Sequence, residues 1–539
     1  MKFSRKNRYL LSILSGLLMS VSFPHTGSLF PLVFLAWVPL LLVEHNIYRQ
    51  KYASGKVLIH AYITFVIYNL GTTYWIYFAE GGEIGAIMAY LLNGFLMAVV
   101  FLFFHWTKKY VGQKEGYISL FFYWIAFEYF HYHWELSWPW LNVGNTFAIV
   151  PEIIQWYSYT GVLGGTLWVL LVNVLLFKVV SNVIFGKEKC KIQSPLIILI
   201  AILLVLPAGV SMWSYFSYEE KKNPVEVVVT QPNVDPYNEK FEEGTENKIN
   251  QLEKVIRLAE KKITDKTAVV LGPETAISGV FDEGEYDQSP LYNYLKKKVE
   301  LWDGPDLFLG ASTYKIFDEK QSRASRPLSF ESGFYESYNT SLIIAKNRPP
   351  SFVHKSKLVL GVEKVPFSHI FPFLEELSIE NGGTSGTLGV EAEPRVLTTK
   401  GFSFAPSICY ESIYGGMIAE QCRKGAAAIF IITNDGWWGN SPGHKQHASF
   451  ARLRAVETHR YVVRSANTGI SSVINQRGDV IRKTKYWEED VFRETVHLNQ
   501  LPTFYVIYGD VLGRTFGFAF FLLLILTAVR YLRTFGKSF

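Results

Sequence analysis

An apolar run that ends in a cysteine stands in the second half of the chain, where residues 402–411 read FSFAPSICYE. The run 402–408 is typical of a β-strand, and a helical segment follows Tyr410 and Glu411. A cysteine at such a bend lies near backbone N–H groups and the positive end of a helix, which favour the thiolate. Cys409 is therefore a candidate nucleophile, although a lone cysteine is more commonly a small buried core residue.

Other apolar runs alternate with amphipathic helical patterns. Together with the run above, the candidate strands are 225–229, 268–272, 306–311, 341–345, 402–408, 426–433 and 471–475. The helical patterns cover 249–263, 291–302, 417–423 and 447–461. Because strands and helices alternate along this part of the chain, the sequence predicts a layered α/β domain.

The composition is poor in charge for a chain of this length. The 539 residues are 49% hydrophobic and 19% charged, and the apolar surplus lies in the first part of the chain and at its end. This distribution excludes a fully soluble enzyme and a collagen-like or low-complexity protein. The net charge of +6 favours neither nucleic-acid binding nor disorder. Three scattered cysteines exclude a disulfide framework, and we expect Cys190 and Cys422 to be structural.

Eight apolar stretches approach the length of about 20 residues that a membrane-spanning helix needs. They are 9–23, 29–43, 57–78, 84–106, 117–130, 161–179, 195–216 and 505–526. The loops after the first, third and fifth stretches contain no Lys or Arg, whereas the intervening loops do. Since cytoplasmic loops retain basic residues, this pattern puts both termini in the cytoplasm and the middle block outside. The predicted domains are a seven-span transmembrane domain (1–218), an external domain (219–500), and a last span with a cytoplasmic tail (501–539).

Polar side chains follow two of the predicted strands. Glu274 comes after the run 268–272, where partial burial would raise its pKa toward that of a general base. Such a carboxylate alone is more often a helix N-terminal charge. Lys355 and Lys357 follow the strand that ends near residue 346, and most lysines in such a setting are solvated surface residues.

Two further motifs have more than one interpretation. Residues 433–439 read TNDGWWG after another apolar strand, and this turn forms either a site wall or a packed loop. His131 and His133 have the spacing of a metal pair. No convincing further ligand accompanies them, so we favour an interfacial loop rich in aromatic residues.

Taken together, these segments are similar to the nitrilase, or carbon-nitrogen hydrolase, superfamily with its Glu-Lys-Cys triad. Fusion to membrane spans on both sides resembles the apolipoprotein N-acyltransferase family, and the resemblance covers nearly the whole chain. Its strongest parts are Gly272-Pro273-Glu274, Ile408-Cys409-Tyr410-Glu411, and Asn434 to Gly439 continuing to His447, Arg452, Arg454, Glu457, Arg460, Arg464, Ser465, Asn467, Thr468 and Gly469. The transmembrane part adds Glu128, Pro139-Trp140-Leu141 and Gly144.

The resemblance implies a helical membrane domain of about eight spans and an external nitrilase-like αββα sandwich. It implies that Cys409 is the nucleophile, Glu274 the general base and Lys355 the third triad member. Lys355 is preferred to Lys357 because two residues separate it from a Leu-Val pair. The substrate-binding or supporting residues that it implies are Glu363, Tyr410, Glu411, Phe241, Asn434 and Trp437. The chain departs from the family pattern at 360–362, which read LGV in place of Pro-Phe-Gly, and at Phe241, where Trp is usual.

The resemblance also implies an activity. A phospholipid would donate an acyl chain, through a thioester, to the N-terminal amine of a diacylglyceryl-modified lipoprotein, in the bacterial inner membrane and with a periplasmic catalytic domain. No metal, cofactor or nucleic acid is implied. The alternative is a membrane-tethered amidase or hydrolase of the same superfamily, in which water is the acceptor. A non-catalytic transporter or scaffold is a third interpretation, and Glu128, Asp510 and Arg514 are its only plausible intramembrane charges. The apolar segment 367–374, which leads into a glycine-rich stretch, is either buried core or an arm that gates lipid entry.

Overall fold

The computed structural model describes two compact units. The described residues are 2–79, 82–185, 194–242, 244–329, 332–368, 370–371 and 387–535, so Cys190 lies outside them. The first unit comprises Met1–Tyr77, Glu83–Ser217 and Tyr508–Phe539. The second unit comprises Phe78–Gly82 and Tyr218–Ile507. The domain limits 1–218, 219–500 and 501–539 stay a prediction.

The first unit is built from helices. Along the whole chain the helices are α1 (Arg5–Ser22), α2 (Val33–Ala36), α3 (Val38–Arg49), α4 (Gly55–Thr73), α5 (Glu83–Tyr110), α6 (Gln113–Phe130), α7 (Tyr157–Thr160), α8 (Val162–Phe185), α9 (Ser194–Ser217), α10 (Thr245–Glu260), α11 (Pro290–Leu301), α12 (Gly415–Arg423), α13 (Pro442–Thr458), α14 (Phe504–Tyr508) and α15 (Val511–Phe535). Helices α1 to α9 and α15 belong to the first unit.

Each of the eight predicted spans overlaps a helix, and apart from residue 78 and residues 505–507 the spans lie in this unit. Within the described part of the chain, five helical stretches are long and apolar enough to cross a membrane. They are Phe30–Arg49, Glu83–Tyr110, Val162–Phe185, Pro195–Ser217 and Val511–Thr534. The other three predicted spans fall on α1, α4 and α6. The chain is a membrane protein, whereas the count of eight spans stays a prediction.

Glu128 holds a turn inside the first unit. Its Oε1 accepts hydrogen bonds from Trp124 Nε1 at 3.0 Å and from the backbone N–H of Val143 at 2.9 Å. Its Oε2 accepts one from Thr166 Oγ1 at 2.6 Å, and the same Thr166 oxygen accepts from the backbone N–H of Gly144 at 3.0 Å. These bonds satisfy a buried carboxylate and give it a structural role.

The second unit contains two β-sheets. Its strands are β1 (Pro224–Gln231), β2 (Thr267–Leu271), β3 (Ile277–Asp282), β4 (Asp306–Phe317), β5 (Arg326–Pro327), β6 (Phe334–Ile344), β7 (Ser351–His354), β8 (Leu397–Thr399), β9 (Phe402–Ile408), β10 (Ile429–Thr433), β11 (Val462–Ala466), β12 (Ser472–Ile474), β13 (Val480–Lys483) and β14 (Asp490–His497). The larger sheet has the order β14-β1-β2-β4-β6-β5, with β3 beside β4 and β7 beside β6. The smaller sheet has the order β13-β12-β11-β10-β9-β8.

Alternation along the strands creates two hydrophobic cores. Val227 and Val229 of β1 pack in one cluster with Phe404 and Phe430 of the smaller sheet, so the two sheets face each other. Val228 points to the opposite face, where it packs in a second cluster with residues of α10 and α11. Helices α12 and α13 pack on the smaller sheet. The predicted αββα sandwich is therefore confirmed.

The sequence patterns missed seven short or edge elements and one helix end. The strands that they missed are β3, β5, β7, β8, β11, β13 and β14, of which β11 is central in its sheet. The helical pattern predicts a helix to residue 461, but α13 ends at Thr458. His459 has a φ of 51°, a left-handed conformation that stops a helix and turns the chain into β11.

Candidate active site

Cys409 lies directly after β9, at the start of a 3₁₀ turn over Cys409–Ile413. Its φ of 51° is left-handed, a conformation that few residues other than glycine adopt. The Cys409 carbonyl accepts a hydrogen bond from Ser412 Oγ at 2.8 Å and lies 3.0 Å from His447 Nε2. These contacts hold the strained backbone, and Cys409 as a whole residue is half-buried, packed against the core between the sheets.

Glu411 joins the Cys409 turn to the loop that carries Lys355. Its Oε2 accepts from the backbone N–H of Ile408 at 2.7 Å, and its Oε1 accepts from that of Ser356 at 2.5 Å. Burial raises the pKa of Glu411 to about 7, although these backbone donors and the Lys355 charge lower it. The carboxylate therefore positions two segments of the site relative to each other.

Glu274 follows β2 and receives donors from three different segments. Its Oε1 accepts from Asn339 Nδ2 at 2.8 Å and from Lys355 Nζ at 3.3 Å. Its Oε2 accepts from the backbone N–H of Asn434 at 3.0 Å. Asn434, which the resemblance assigns a supporting role, thus orients Glu274 through its main chain. The carboxylate is held in one orientation before any substrate binds.

Lys355 follows β7, and its side chain is only 1% exposed. Its Nζ donates to Glu363 Oε1 at 2.8 Å as well as to Glu274. Burial lowers the pKa of Lys355, but the carboxylates of Glu363 and Glu274 outweigh burial and raise the pKa above its ordinary value. Lys357 instead lies over a tyrosine ring at 5.3 Å. Of the two candidate lysines, Lys355 is the one that contacts Glu274.

The charges of Glu274 and Lys355 both act on Cys409. Burial raises the pKa of Cys409, the Glu274 carboxylate raises it further, and Lys355 offsets only part of the rise. The expectation that the bend favours the thiolate is therefore wrong. The turn after Cys409 has only five residues, and its dipole does not overcome burial beside a carboxylate. The thiol needs a base, and Glu274 is the carboxylate with the largest effect on it.

A buried charged network supports the backbone of Cys409. Asp435 Oδ1 lies 2.9 Å from His447 Nδ1, and Arg464 donates to the other carboxylate oxygen. Burial raises the pKa of Asp435, but the charges of Arg464 and His447 bring it well below its usual range. Cys409 Sγ, an Asp435 oxygen and a His447 nitrogen lie within 4.8 Å of one another. Because the Arg464 guanidinium occupies the carboxylate and repels cations, the cluster fits a hydrogen-bond network better than a metal site.

Aromatic side chains surround the turn that follows β10. The Trp437 and Phe241 rings stack at 6.3 Å, and Tyr237 Oη donates to the Trp437 carbonyl at 2.8 Å. A cavity of about 470 Å³ adjoins Trp437. Tyr410 is buried, and its ring lies 5.4 Å from that of Tyr414. The turn thus adjoins a cavity, but Cys409, Glu274 and Lys355 do not line that cavity, so the interpretation of the turn as a site wall stays a prediction.

Two residues at the site have no assignment from sequence. Asn339 of β6 donates its Nδ2 to both Glu274 and Glu363, at 2.8 and 2.9 Å. Lys240 is 3% exposed, and its Nζ donates to the Glu274 carbonyl at 3.1 Å and to Thr275 Oγ1. The predicted strand 341–345 begins two residues after Asn339, so the sequence pattern leaves Asn339 outside the strand. Burial lowers the pKa of Lys240 to about 8, although Glu274 and Cys409 raise it.

The buried Lys240 predicts a pH dependence of stability. Its pKa is about 8 in the folded chain, against an ordinary value of 10.5. Between these values the unfolded chain binds a proton that the folded chain lacks, so the free energy of unfolding rises with pH, by about 3 kcal/mol from this group. The free energy of unfolding should be measured in detergent near pH 8 and near pH 10.5. It should rise more between these pH values in the wild type than in Lys240→Met. Lys261→Met, at an exposed site, should behave as the wild type. If the stability of Lys240→Met depended on pH in the same way as that of the wild type, the lowered pKa of Lys240 would be refuted.

A second prediction concerns the backbone of Glu274, which β4 approaches closely at Gly310. A Cβ at Gly310 would lie 2.4 Å from Thr275 N and 2.7 Å from the Glu274 Cα. Gly310→Ala must therefore displace Glu274, and a shift near 1 Å costs about a hundredfold in turnover. Activity and thermal unfolding should be measured on Gly310→Ala and on Gly517→Ala, whose Cβ meets no atom within 4 Å. Full activity in Gly310→Ala would show that turnover does not depend on the exact position of Glu274.

Only part of the predicted arm 367–374 is described. Ile370 and Phe371 are 55% and 49% exposed, so these two are not core residues. His369 and residues 372–374 lie outside the described residues. The gating role of the segment stays a prediction.

Two family models match separate parts of the chain. The model described as the apolipoprotein N-acyltransferase N-terminal domain matches residues 15–175. The model described as carbon-nitrogen hydrolase matches residues 229–503, about half of the chain. These matches confirm the resemblance that the sequence motifs predict.

Curated relatives match almost end to end. The apolipoprotein N-acyltransferase of Chlorobaculum tepidum is 28% identical, with 93% of each chain covered. That of Geobacter metallireducens is 27% identical, with 93% of this chain and 92% of the relative covered. Among solved structures, Saccharomyces cerevisiae Nit3, a member of branch 10 of the nitrilase superfamily, covers 52% of this chain and 92% of its own, with 17% identity and a TM-score of 0.36.

Proposed function

Since the chain belongs to the carbon-nitrogen hydrolase family and resembles apolipoprotein N-acyltransferases along almost its whole length, we propose that it is such an acyltransferase. It transfers an acyl chain from a phospholipid to the N-terminal amine of a diacylglyceryl-modified lipoprotein. The proposal rests on the match to curated apolipoprotein N-acyltransferases over almost the whole chain. The contact of Lys355 with Glu274, and the effect of both charges on the pKa of Cys409, support a thioester mechanism. Both substrates live in the bilayer, and this chain has apolar helices that are long enough to cross one.

In the first half of the proposed reaction, Glu274 takes the proton of the Cys409 thiol. The sulfur then attacks the ester carbonyl of the phospholipid. Lys355 stabilises the oxyanion of the tetrahedral intermediate, which is usually the largest catalytic contribution. When the ester C–O bond breaks, the lysophospholipid alkoxide takes the proton from Glu274. The acyl chain remains on Cys409 as a thioester.

In the second half, the α-amine of the lipoprotein attacks the thioester. The C–N bond forms, the C–S bond breaks, and Glu274 accepts the proton that the amine loses. That proton returns to the Cys409 sulfur, so the enzyme is regenerated. The same Glu274 serves both halves because three donors hold its carboxylate in place.

We also propose an inner-membrane location in a bacterium, with both termini in the cytoplasm and the second unit in the periplasm. The alternation of Lys and Arg among the loops supports this orientation. A large domain is translocated whatever its own charge, so the composition of the second unit does not oppose it.

A product assay tests the proposed activity. The full chain in detergent is incubated with a phospholipid and a synthetic lipopeptide that carries a diacylglyceryl-cysteine at its N-terminus. We expect mass spectrometry to find a third acyl chain, linked as an amide to the N-terminal nitrogen. Release of free fatty acid with an unmodified lipopeptide would refute acyl transfer and support the hydrolase of the same superfamily.

A further inference from the structure

A cavity of about 760 Å³ lies among the helices of the first unit. Its walls come from the C-terminal halves of α3 and α8 and from the N-terminal halves of α6 and α9. These helix ends adjoin the basic loops, which predict that they lie at the cytoplasmic surface. All lining residues belong to the first unit, whereas Cys409 belongs to the second. Cys409, Glu274 and Lys355 are not among the residues that line the cavity.

Along α8 the lining is apolar at residues 171, 174 and 175 and polar at residues 178, 181 and 182, and the rings of Phe177 and Phe185 also line this polar part. Lys178, Ser181 and Asn182 line the cavity nearer the end of the helix, whereas Leu175 and Leu171 line it one and two turns deeper. These positions recur at spacings of three and four and so lie on one face. From residue 171 to residue 185 the face extends for about 20 Å. A polar end that continues into an apolar groove matches a lipid head group joined to an acyl chain.

Three cations from three helices line the polar end, namely Arg49, Lys114 and Lys178. Neither Asp nor Glu is among the described residues that line the cavity, and within the described part of the chain none of these three cations forms an ion pair. The Arg49 guanidinium donates to the Phe185 carbonyl at 3.2 Å and lies 5.5 Å from the centre of its ring. The surplus positive charge is thus partly fixed in position without being neutralised.

One aromatic residue of the cavity wall is also fixed in position. Tyr117 lines the cavity, and its hydroxyl accepts a hydrogen bond from the buried Lys108 Nζ at 2.8 Å. Lys108 in turn forms an ion pair with Glu44, which lies 2.7 Å from His105. Side chains locked by buried polar networks lose little freedom when a ligand arrives.

We propose that this cavity binds an anionic phospholipid of the cytoplasmic leaflet. The phosphate lies at the three cations, and one acyl chain runs along the leucines of α8 and α9. Inorganic phosphate matches the charge but has nothing to place against the apolar wall. A zwitterionic phospholipid matches the wall but lacks the net negative charge. The bound lipid is a component of the folded membrane unit, distinct from the acyl donor.

Native mass spectrometry of the full chain in detergent micelles tests this site. Phosphatidylglycerol, phosphatidylethanolamine and inorganic phosphate are titrated separately. We expect phosphatidylglycerol adducts at concentrations at least about tenfold below those that phosphatidylethanolamine requires, since each basic residue near the surface adds to anionic-lipid affinity. Inorganic phosphate should give no adduct in this range. Equal affinity for the two lipids, or tight binding of phosphate alone, would overturn the proposal.

Matched variants locate the binding. The triple variant Arg49→Gln, Lys114→Gln and Lys178→Gln should lose the preference for phosphatidylglycerol. The control variant Arg5→Gln, Lys56→Gln and Lys109→Gln removes the same number of charges at positions that do not line the cavity, and it should keep the preference. If both variants lose the preference for phosphatidylglycerol equally, the preference comes from the general surface charge and not from this cavity.

A third variant keeps the charges and fills the groove. Leu175→Trp with Leu203→Trp occupies the apolar part of the cavity, and it should weaken phosphatidylglycerol binding at least about tenfold, because the acyl chain can no longer be buried there while Arg49, Lys114 and Lys178 remain. This variant still tests the site if the charge-neutralised triple variant fails to fold. Unchanged binding in a folded groove-filled variant would contradict the proposal.

Discussion

Replacement of Cys409 by alanine is expected to abolish acyl transfer, with a loss of more than about a thousandfold. The reason is that the acyl chain then has no sulfur on which to form a thioester. The measurement is the rate of lipopeptide acylation by the full chain in detergent, at matched protein concentration. Acyl transfer that survives in Cys409→Ala would refute the assignment of Cys409 as the nucleophile.

Two further cysteine variants sharpen this result. Cys422 is buried in α12, so Cys422→Ala should retain activity as long as the protein folds. Cys409→Ser should be nearly as impaired as the alanine variant, because an alkoxide is far less accessible than a thiolate near neutral pH. Loss of activity in Cys422→Ala with full folding would point to a different sulfur.

Replacement of Lys355 by methionine is expected to prevent acyl-enzyme formation, with a loss of more than about a hundredfold. Lys355 Nζ bridges Glu274 and Glu363, at 3.3 and 2.8 Å. Without it, the Glu274 and Glu363 carboxylates lose the cation that bridges them, and they repel each other. The general base and the oxyanion donor are then impaired together. Transfer of radioactive acyl groups to the protein measures the effect directly.

Lys357→Met is the matched control. Lys357 lies two residues further on, over the ring of Tyr414. Within the part of the chain that the structure describes, it forms no hydrogen bond with Glu274 or Glu363. We expect an effect below about threefold. If Lys357→Met were inactive and Lys355→Met active, the lysine of the triad would be Lys357 and not Lys355. Thermal unfolding of both variants separates lost chemistry from lost folding.

Most of the architecture could be predicted from sequence patterns. The strand at 402–408 agrees with β9 residue for residue, because a continuous apolar run is the pattern of a buried strand. The strand β11 was missed because its five residues, VVRSA, carry a polar pair. That pair is buried, since Arg464 forms an ion pair with Asp435, just past the neighbouring strand β10, and Ser465 donates to the Thr230 carbonyl. Local pattern does not anticipate partners that come from distant segments.

The candidate site shows the same limit. Glu274, Lys355 and Cys409 carry family motifs, so the resemblance identifies them. Asn339 and Lys240 meet Glu274 only after folding, across 65 and 34 residues of chain. The direction of the Cys409 pKa shift was predicted wrongly because burial beside Glu274 is a tertiary property.

The acyl-enzyme is tested by the intact mass of the protein after incubation with a phospholipid and no lipopeptide. If Cys409 is the nucleophile, the protein gains the mass of one acyl group, which peptide mapping locates on Cys409 and hydroxylamine removes, and a matching amount of lysophospholipid is released. Addition of the lipopeptide should discharge the acyl group onto its N-terminal amine. Acyl transfer to the lipopeptide at full rate by an enzyme that never carries an acyl group on Cys409 would contradict the account.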